Sequence, residues 1–191
     1  MYVEFLLMKN MFLEKKRIRC RINGKWGLDF VNPFKPTTAW TGNQYIIDTT
    51  SYCTKCVEAK ALRDNTANST TQFLYEHIWC HFSCLIELVS DQCTYFVNKV
   101  IHELSQFYAI VHKSTIYPQA NGLAESTNKT IQHILKKIVN EHWTDWDQKL
   151  HSALCAYRTT YKTMIRSTPF RMAFGLEAVM PIEFQVPCLR V

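Results

Sequence analysis

Three carboxylates lie at positions where a charged side chain needs a structural or functional explanation. Asp29 lies inside the apolar stretch WGLDFVN, where an ionised group is costly unless it is paired or bound to a cation. Asp91 ends the apolar stretch LIELVSD, and groups at strand ends often carry function in open α/β sheets. Glu125 follows the turn-forming pair Asn121-Gly122 and opens a long helical pattern, where the helix dipole alone would explain it.

The chemistry that suits these three acids is phosphodiester chemistry. Carboxylate oxygens are the ligands that a hard cation such as Mg²⁺ prefers, together with phosphate and water. Two such ions about 4 Å apart can activate an attacking oxygen and stabilise the leaving one. By pattern alone Asp48, inside the second apolar stretch NQYIIDTT, is a rival for the first acid.

The helix that Glu125 opens predicts a polar face and an apolar face. At 3.6 residues per turn the polar face carries Glu125, Lys129, Gln132 and Lys136, with Asn128 at its edge, and the opposite face carries Ile131, Ile134 and Ile138. A general amphipathic helix has the same pattern. A carboxylate followed by two lysines along one face is also what a site that processes a DNA backbone needs.

The elements that position these groups alternate in type. Strands are predicted at WGLDFVN, NQYIIDTT and CTKCVEAKAL, the last two as a hairpin pair, and later at LIELVSD and FYAIVHK. Helices are predicted over residues 66–82, from Phe96 to Leu104, over 120–142 and from Asp145 to Thr160. Ser167-Thr168-Pro169 indicates the cap and first turn of one more helix. This order predicts a mixed α/β fold.

Composition sets the class. The chain has 191 residues, a length typical of one domain, with 22 Lys+Arg against 16 Asp+Glu and a net charge of +6. That balance favours polyanionic partners. No stretch reaches the roughly 20 apolar residues of a membrane span, and the start has no convincing signal peptide. The eight cysteines are therefore expected to be reduced thiols.

The cysteines leave a zinc module as an alternative. Cys53 and Cys56 have ligand spacing, and a second group, His77, Cys80, His81 and Cys84, lies within two helical turns. Against it, the segment 53–56 is predicted to be a strand, whose alternate side chains point to opposite faces. Both thiolates would then not reach one metal ion.

From about Trp26 to Val186 the chain resembles the catalytic core of retrotransposon integrases of the Ty3/gypsy type, particularly those of plants. The matching blocks are WGLDFVNPF, YCTKCVEAK, IELVSDQCTYF, YPQANGLAESTNKT, LHSALCAYRTTYKT and STPFRMAFGLEAVMPIE. The resemblance implies an RNase H-like fold, a five-stranded mixed sheet flanked by helices. It divides the chain into a basic lead-in (1–25), the integrase core (26–175) and a C-terminal extension (176–191).

The resemblance also assigns roles. It implies an Asp-Asp-Glu triad, formed by Asp29, Asp91 and Glu125, that binds Mg²⁺ or Mn²⁺, trims DNA ends and joins them to target DNA. The residues expected to contact or approach DNA are Gln119, Asn121, Asn128, Lys129, Gln132 and Lys136. The implied partners are element ends and target DNA, with a homodimer or higher oligomer, and the implied location is the nucleus, or a cytoplasmic particle before import.

Departures from the family pattern leave activity open. The family has Gly where this chain has Cys93, an apolar residue where it has Asp48, and Trp where it has Cys56. The interval from Asp91 to Glu125 is a residue or two shorter, with the gap around Ser114 to Tyr117. The alternative to an active transferase is therefore a non-catalytic RNase H-like module that binds nucleic acid, as a relic or a host-recruited adaptor.

Overall fold

The computed structural model describes residues 24–31, 33–82, 85–114 and 122–179. Most of the predicted basic lead-in, residues Gln119 and Asn121, the cysteine at 84, and most of the segment 176–191 lie outside these ranges. None of the helices within the described ranges combines the length and the apolar character of a membrane-spanning helix.

Five strands form one sheet. Their bounds are Lys25–Val31 (β1), Tyr45–Ser51 (β2), Val57–Leu62 (β3), Glu87–Ser90 (β4) and Val111–Ser114 (β5). They are arranged in the order β3-β2-β1-β4-β5. The β3–β2 and β2–β1 pairs are antiparallel, whereas the β1–β4 and β4–β5 pairs are parallel. The predicted five-stranded mixed sheet with flanking helices is confirmed.

The helices begin with α1 (Ala67–Phe73), which continues through a π-helical stretch (Leu74–Trp79) into α2 (Cys80–Phe82). The others are α3 (Lys99–Phe107), α4 (Gly122–Ile138), α5 (Trp146–Thr159) and α6 (Pro169–Phe174). The Thr168 side chain accepts a hydrogen bond from the backbone of Arg171, and Pro169 follows at the first helical position. The predicted cap of this last helix is therefore confirmed.

Alternation along the strands sends neighbouring side chains to two separate layers. Ile47 packs with Trp26 and Phe73 on the side of α1 and α3, whereas Ile46 packs with Leu135 of α4 on the other side. Both faces of the sheet are therefore covered by helices. Trp146, Leu150 and Tyr157 of α5 complete the second layer.

Four boundaries differ from the prediction. The hairpin strand begins at Val57, because residues 52–54 form a turn and Lys55 adopts a positive φ of 58°. The helix predicted from Phe96 begins at Lys99, after Asn98, whose side chain caps it. That helix continues to Phe107, so the following strand starts at Val111 instead of residue 107. The long helix spans Gly122–Ile138, shorter than the predicted 120–142.

The buried face of α4 also differs from the predicted Ile131, Ile134 and Ile138. Its buried residues are Ala124, Thr127, Asn128, Ile131 and Leu135, and Ile138 is 38% exposed at the last position of the helix. Two polar residues of the first turns are thus turned toward the sheet. They face the strands that carry the acidic side chains.

Candidate active site

The first candidate acid, Asp29, lies in β1 on the face that α4 covers. The backbone N–H of Phe30 donates to its Oδ1 at 2.9 Å, and Nδ2 of Asn128 donates to its Oδ2 at 3.0 Å. The pKa of Asp29 is raised to about 6. Burial is the largest cause, the charges of Asp91 and Glu125 also raise the pKa, and the two hydrogen bonds oppose the shift. The triad residues therefore interact electrostatically at this position.

Asp91 directly follows β4, the parallel neighbour of β1. Its carboxylate is held by a single residue: the backbone N–H of Cys93 donates to Oδ1 at 3.0 Å, and the thiol donates to Oδ2 at 3.1 Å. Burial raises the pKa of Cys93, so the thiol is a protonated donor at neutral pH. The Gly-to-Cys departure thus adds a hydrogen bond to a candidate metal ligand.

Glu125 lies in the first turn of α4, at the edge of a cavity of about 500 Å³. One wall comes from β1 and the segment after it, and the other from α4. The lining residues are Asp29, Phe30, Val31, Pro33, Phe34, Lys35, Glu125, Asn128, Lys129 and Gln132. The structure therefore brings the first and third candidate acids to one cavity.

The DNA-contact predictions divide into three groups. Asn128, Lys129 and Gln132 line the cavity, although Asn128 is buried, whereas it was expected at the edge of the polar face. Lys136 is exposed on α4 and does not line this cavity. Gln119 and Asn121 lie outside the described residues, so their role stays a prediction.

Asp48 is the residue whose place in the site the sequence pattern left unresolved. It is the cross-strand partner of Asp29 in the β1–β2 register and its side chain is fully buried. No hydrogen bond of ordinary geometry reaches either carboxylate oxygen, although the Asn128 and Thr50 side chains are close enough to influence the carboxyl group, and Oδ1 of Asn128 is likewise without such a bond. Burial, followed by the charge of Asp29, raises the pKa of Asp48 well above its usual range, with smaller opposing effects from Asn128 and Thr50.

The donor set fits a magnesium site in kind. Mg²⁺ is commonly bound by one or two carboxylates that leave room for water and phosphate, and Asp29 and Asp91 are oxygen ligands of this type. Within the described ranges, however, no three His, Cys, Asp or Glu side chains lie close enough to bind one ion together. The charges of Asp91 and Glu125 thus reach Asp29, but the three acids do not form a three-ligand cluster.

Cys53 and Cys56, which the zinc alternative would pair at one ion, differ in exposure. Cys56 is fully buried in the core, where burial raises its pKa to about 12, whereas Cys53 is exposed. The segment 53–56 is not a strand, so the prediction of opposite strand faces was wrong. His77 stacks on Phe73, with ring centroids 5.2 Å apart.

The chain is similar in sequence to retrotransposon and retroviral polyproteins. The chain is 21% identical over 145 residues to the retrovirus-related Pol polyprotein from transposon 412 of Drosophila melanogaster, covering 75% of this chain and 12% of that polyprotein. It is 27% identical over 181 residues to the Gag-Pol polyprotein of avian reticuloendotheliosis virus, covering 91% of this chain and 15% of the polyprotein. No family model matches the chain.

Among solved structures, the chain is similar to the integrase catalytic core domain of HTLV-2, whose structure was determined with magnesium in a trimeric form. The TM-score is 0.63 at 16% identity, over 80% of this chain and 97% of that domain. The predicted fold is thereby confirmed. The chain is related in sequence to retrotransposon and retroviral polyproteins, of whose length it spans 12% and 15%, and it has the RNase H-like fold of an integrase catalytic core.

Proposed function

We propose that this chain is an integrase catalytic domain that processes DNA ends and joins them to target DNA in a reaction that depends on Mg²⁺ or Mn²⁺. The observation that carries the proposal is the position of Asp29. Its pKa responds to the charges of both Asp91 and Glu125, and it lies in a cavity lined by Glu125 and Lys129. Two acids that line one cavity with a lysine, and a third acid whose charge reaches Asp29, support metal-dependent chemistry on a phosphodiester.

Each residue has a distinct part in the proposed reaction. Asp29 and Asp91 hold the metal ions, and Glu125 completes the site from the first turn of α4. When bound, the metal supplies activation of the attacking oxygen and stabilisation of the leaving oxygen. Asn128 orients the Asp29 carboxylate through its 3.0 Å hydrogen bond. Lys129 pairs with a phosphate of the DNA backbone, and Gln132 and Lys136 contact the strand further along the helix.

The proposal has two further parts, of which the trimeric HTLV-2 core supports the first. The chain acts as an oligomer, as the HTLV-2 core is trimeric. It acts in the nucleus, because the proposed target of the joining reaction is chromosomal DNA. The net charge of +6 supports an association with polyanions.

A strand-joining and nicking assay on labelled duplex DNA tests the proposal. Reactions with Mg²⁺, Mn²⁺ or EDTA are compared for the unmodified protein and for Glu125→Gln, which keeps the shape of the side chain and removes its charge. We expect metal-dependent products that the substitution abolishes, with DNA affinity unchanged within about twofold, since one lost carboxylate removes no phosphate contact. Equal products from the variant would point to a contaminating nuclease or a different triad.

A second candidate function is a nucleic-acid-binding module without catalysis. The observation that favours it is the Asp91 carboxylate, both of whose oxygens already accept hydrogen bonds from Cys93. Such a module would bind DNA with a strong salt dependence that EDTA does not change. Folded protein that binds DNA in this way and forms no joined product with either metal would favour this alternative.

A further inference from the structure

Cys93 covers the carboxylate of Asp91 on both oxygens. Its backbone N–H lies 3.0 Å from Oδ1 and its Sγ lies 3.1 Å from Oδ2. The backbone hydrogen bond needs no side chain, so a glycine at this position could also form it. The bond from the thiol is specific to this chain, because it exists only where the residue at position 93 carries a donor.

The thiol has Tyr95 as a second neighbour. The Tyr95 hydroxyl is near enough to the Cys93 side chain for each group to influence the pKa of the other. The ring of Tyr95 packs edge-on against Phe30 and Phe96, with centroids 4.9 and 4.6 Å away. Since Phe30 follows Asp29 directly, this aromatic contact ties the thiol to the strand that carries the first acid. The thiol is therefore a fixed part of the site.

We propose that the Cys93 thiol competes with a divalent cation for Oδ2 of Asp91 and so lowers the affinity of the site for Mg²⁺ and Mn²⁺. This inference rests on the proposed function, since it concerns the metal that the triad would bind. A cation must approach Oδ2 to about 2.1 Å in near-octahedral geometry, and a sulfur atom 3.1 Å from the same oxygen occupies one of the approach directions. The Cys93 thiol does not take the place of Oδ2 as a ligand of Mg²⁺ or Mn²⁺, because thiols suit softer metals.

The backbone allows a clean test. Cys93 does not adopt a positive φ, so alanine fits this position without strain, removes the thiol and keeps the Cβ. Cys155 is an exposed free cysteine on α5, and Cys155→Ala is the matched control. Tyr95→Phe retains the aromatic packing and removes only the hydroxyl that neighbours the thiol.

Metal binding is measured by isothermal titration calorimetry with MgCl₂ and with MnCl₂, on protein stripped with EDTA and dialysed. We expect Cys93→Ala to bind both ions about threefold to tenfold more tightly, the equivalent of one hydrogen bond that no longer has to be displaced. Tyr95→Phe should give a smaller gain and Cys155→Ala none. In an Asp91→Asn background the gain from Cys93→Ala should disappear. Cys93→Gly provides a second route if the alanine variant folds poorly.

The outcomes separate this inference from the proposed function. Equal affinities for the unmodified protein and Cys93→Ala, both lost in Asp91→Asn, would overturn the competition and leave the metal site standing. Weaker binding by Cys93→Ala would also overturn it, because the thiol would then support the metal. No binding by either protein, at metal concentrations that saturate other carboxylate sites, would overturn both the inference and metal-dependent catalysis.

Discussion

Asn128 on α4 donates a hydrogen bond from Nδ2 to Oδ2 of Asp29 on β1, at 3.0 Å and across 99 residues of sequence. This bond fixes the start of the long helix against the central strand. The amide group uses its Nδ2 donor for the carboxylate, whereas its buried Oδ1 acceptor has no hydrogen-bond partner. The position of α4, and with it of Glu125 and Lys129, therefore depends on a side chain that the helical pattern placed at the edge of the polar face.

Asn128→Ala tests the importance of this bond. It removes a hydrogen bond to a charged acceptor but also a buried unpaired carbonyl oxygen, so we expect a net loss of about 1–2 kcal/mol in the free energy of unfolding at pH 8. Urea denaturation in EDTA measures it. Lys129→Ala, at the next and exposed position of the same helix, is the control and should change stability little. An Asn128→Ala protein as stable as the unmodified one would contradict a structural role for the bond.

The raised pKa of Asp29 predicts a pH dependence of the metal-free protein. Below about pH 4 the carboxyl group is protonated in both the folded and the unfolded chain. Between its ordinary value of 3.8 and the folded value of about 6, only the unfolded state ionises, so stability falls as pH rises through this window. The loss attributable to Asp29 amounts to about 3 kcal/mol, at 1.36 kcal/mol per pKa unit.

Urea denaturation from pH 3.5 to 7.5 in EDTA, with Asp29→Asn beside the unmodified protein, measures this loss as the difference between the two curves. Asp64→Asn is the control of opposite sign. Hydrogen bonds from Ser69 and Thr66 lower the pKa of Asp64, so the stability that Asp64 contributes is present above its usual pKa and lost as pH falls. Parallel curves for Asp29→Asn and the unmodified protein would show that Asp29 ionises normally.

The sequence predicted the elements of the fold better than the contacts between them. Periodicity identified α4 and the strand around Asp29, because both depend on local alternation of apolar side chains. The resemblance to integrases predicted that Asp29, Asp91 and Glu125 belong to one site, which no local sequence pattern could predict. The contact of Asn128 with Asp29 depends on the rotation with which the helix docks on the sheet, and Ile138 is exposed for the same reason.

The side-chain hydrogen bonds near the site could not be predicted from the sequence either. The change from Gly to Cys93 was visible, but the direction of the thiol depends on the turn after β4 and on Tyr95. Asp48 lies opposite Asp29 only in the observed register of β1 and β2. A shift of one residue would turn every side chain of the strand to the other face of the sheet. Likewise, the turn before β3 depends on the positive φ of Lys55, a conformation uncommon outside glycine.

Asp48→Val should stabilise the protein. The carboxyl group of Asp48 is fully buried without a hydrogen bond of ordinary geometry, and the resemblance to integrases predicts an apolar residue there. Replacement by valine removes an uncompensated polar group, which we expect to add about 1–3 kcal/mol to the free energy of unfolding at pH 8. Because the pKa of Asp48 is raised, the folded state is destabilised as pH rises, so the gain should be larger at pH 8 than at pH 5.

Asp48→Asn provides the comparison, since it removes the charge and keeps a polar group in the same volume. Its gain at pH 8 should be smaller than that of Asp48→Val. Thermal and urea unfolding measure both variants. Destabilisation by valine would mean that the carboxyl group has a partner that holds it in place.

Arg158 and Glu58 form the buried ion pair that joins α5 to β3. Nη2 of Arg158 lies 2.8 Å from Oε2 of Glu58, and its Nε donates to the carbonyl oxygen of Val57 at 2.8 Å. Arg158→Ala leaves Glu58 buried and unpaired, so we expect a loss of about 3 kcal/mol in the free energy of unfolding. Arg171→Ala is the control. Its pair with Glu177 is equally close, at 3.0 Å, but exposed, so its loss should stay below about 1 kcal/mol.

Lys129 should contribute to DNA affinity through one phosphate contact, because it lines the cavity beside Glu125 and is exposed at its outer side. Lys129→Ala is expected to weaken binding to duplexes of any sequence alike, and to reduce the slope of log affinity against log salt by about 0.9. Lys137→Ala is the matched control, since Lys137 is exposed on the same helix but does not line the cavity. Fluorescence anisotropy from 50 to 200 mM salt measures both. Equal slopes for the two variants would place the DNA elsewhere on the protein, because net charge alone would then account for the binding.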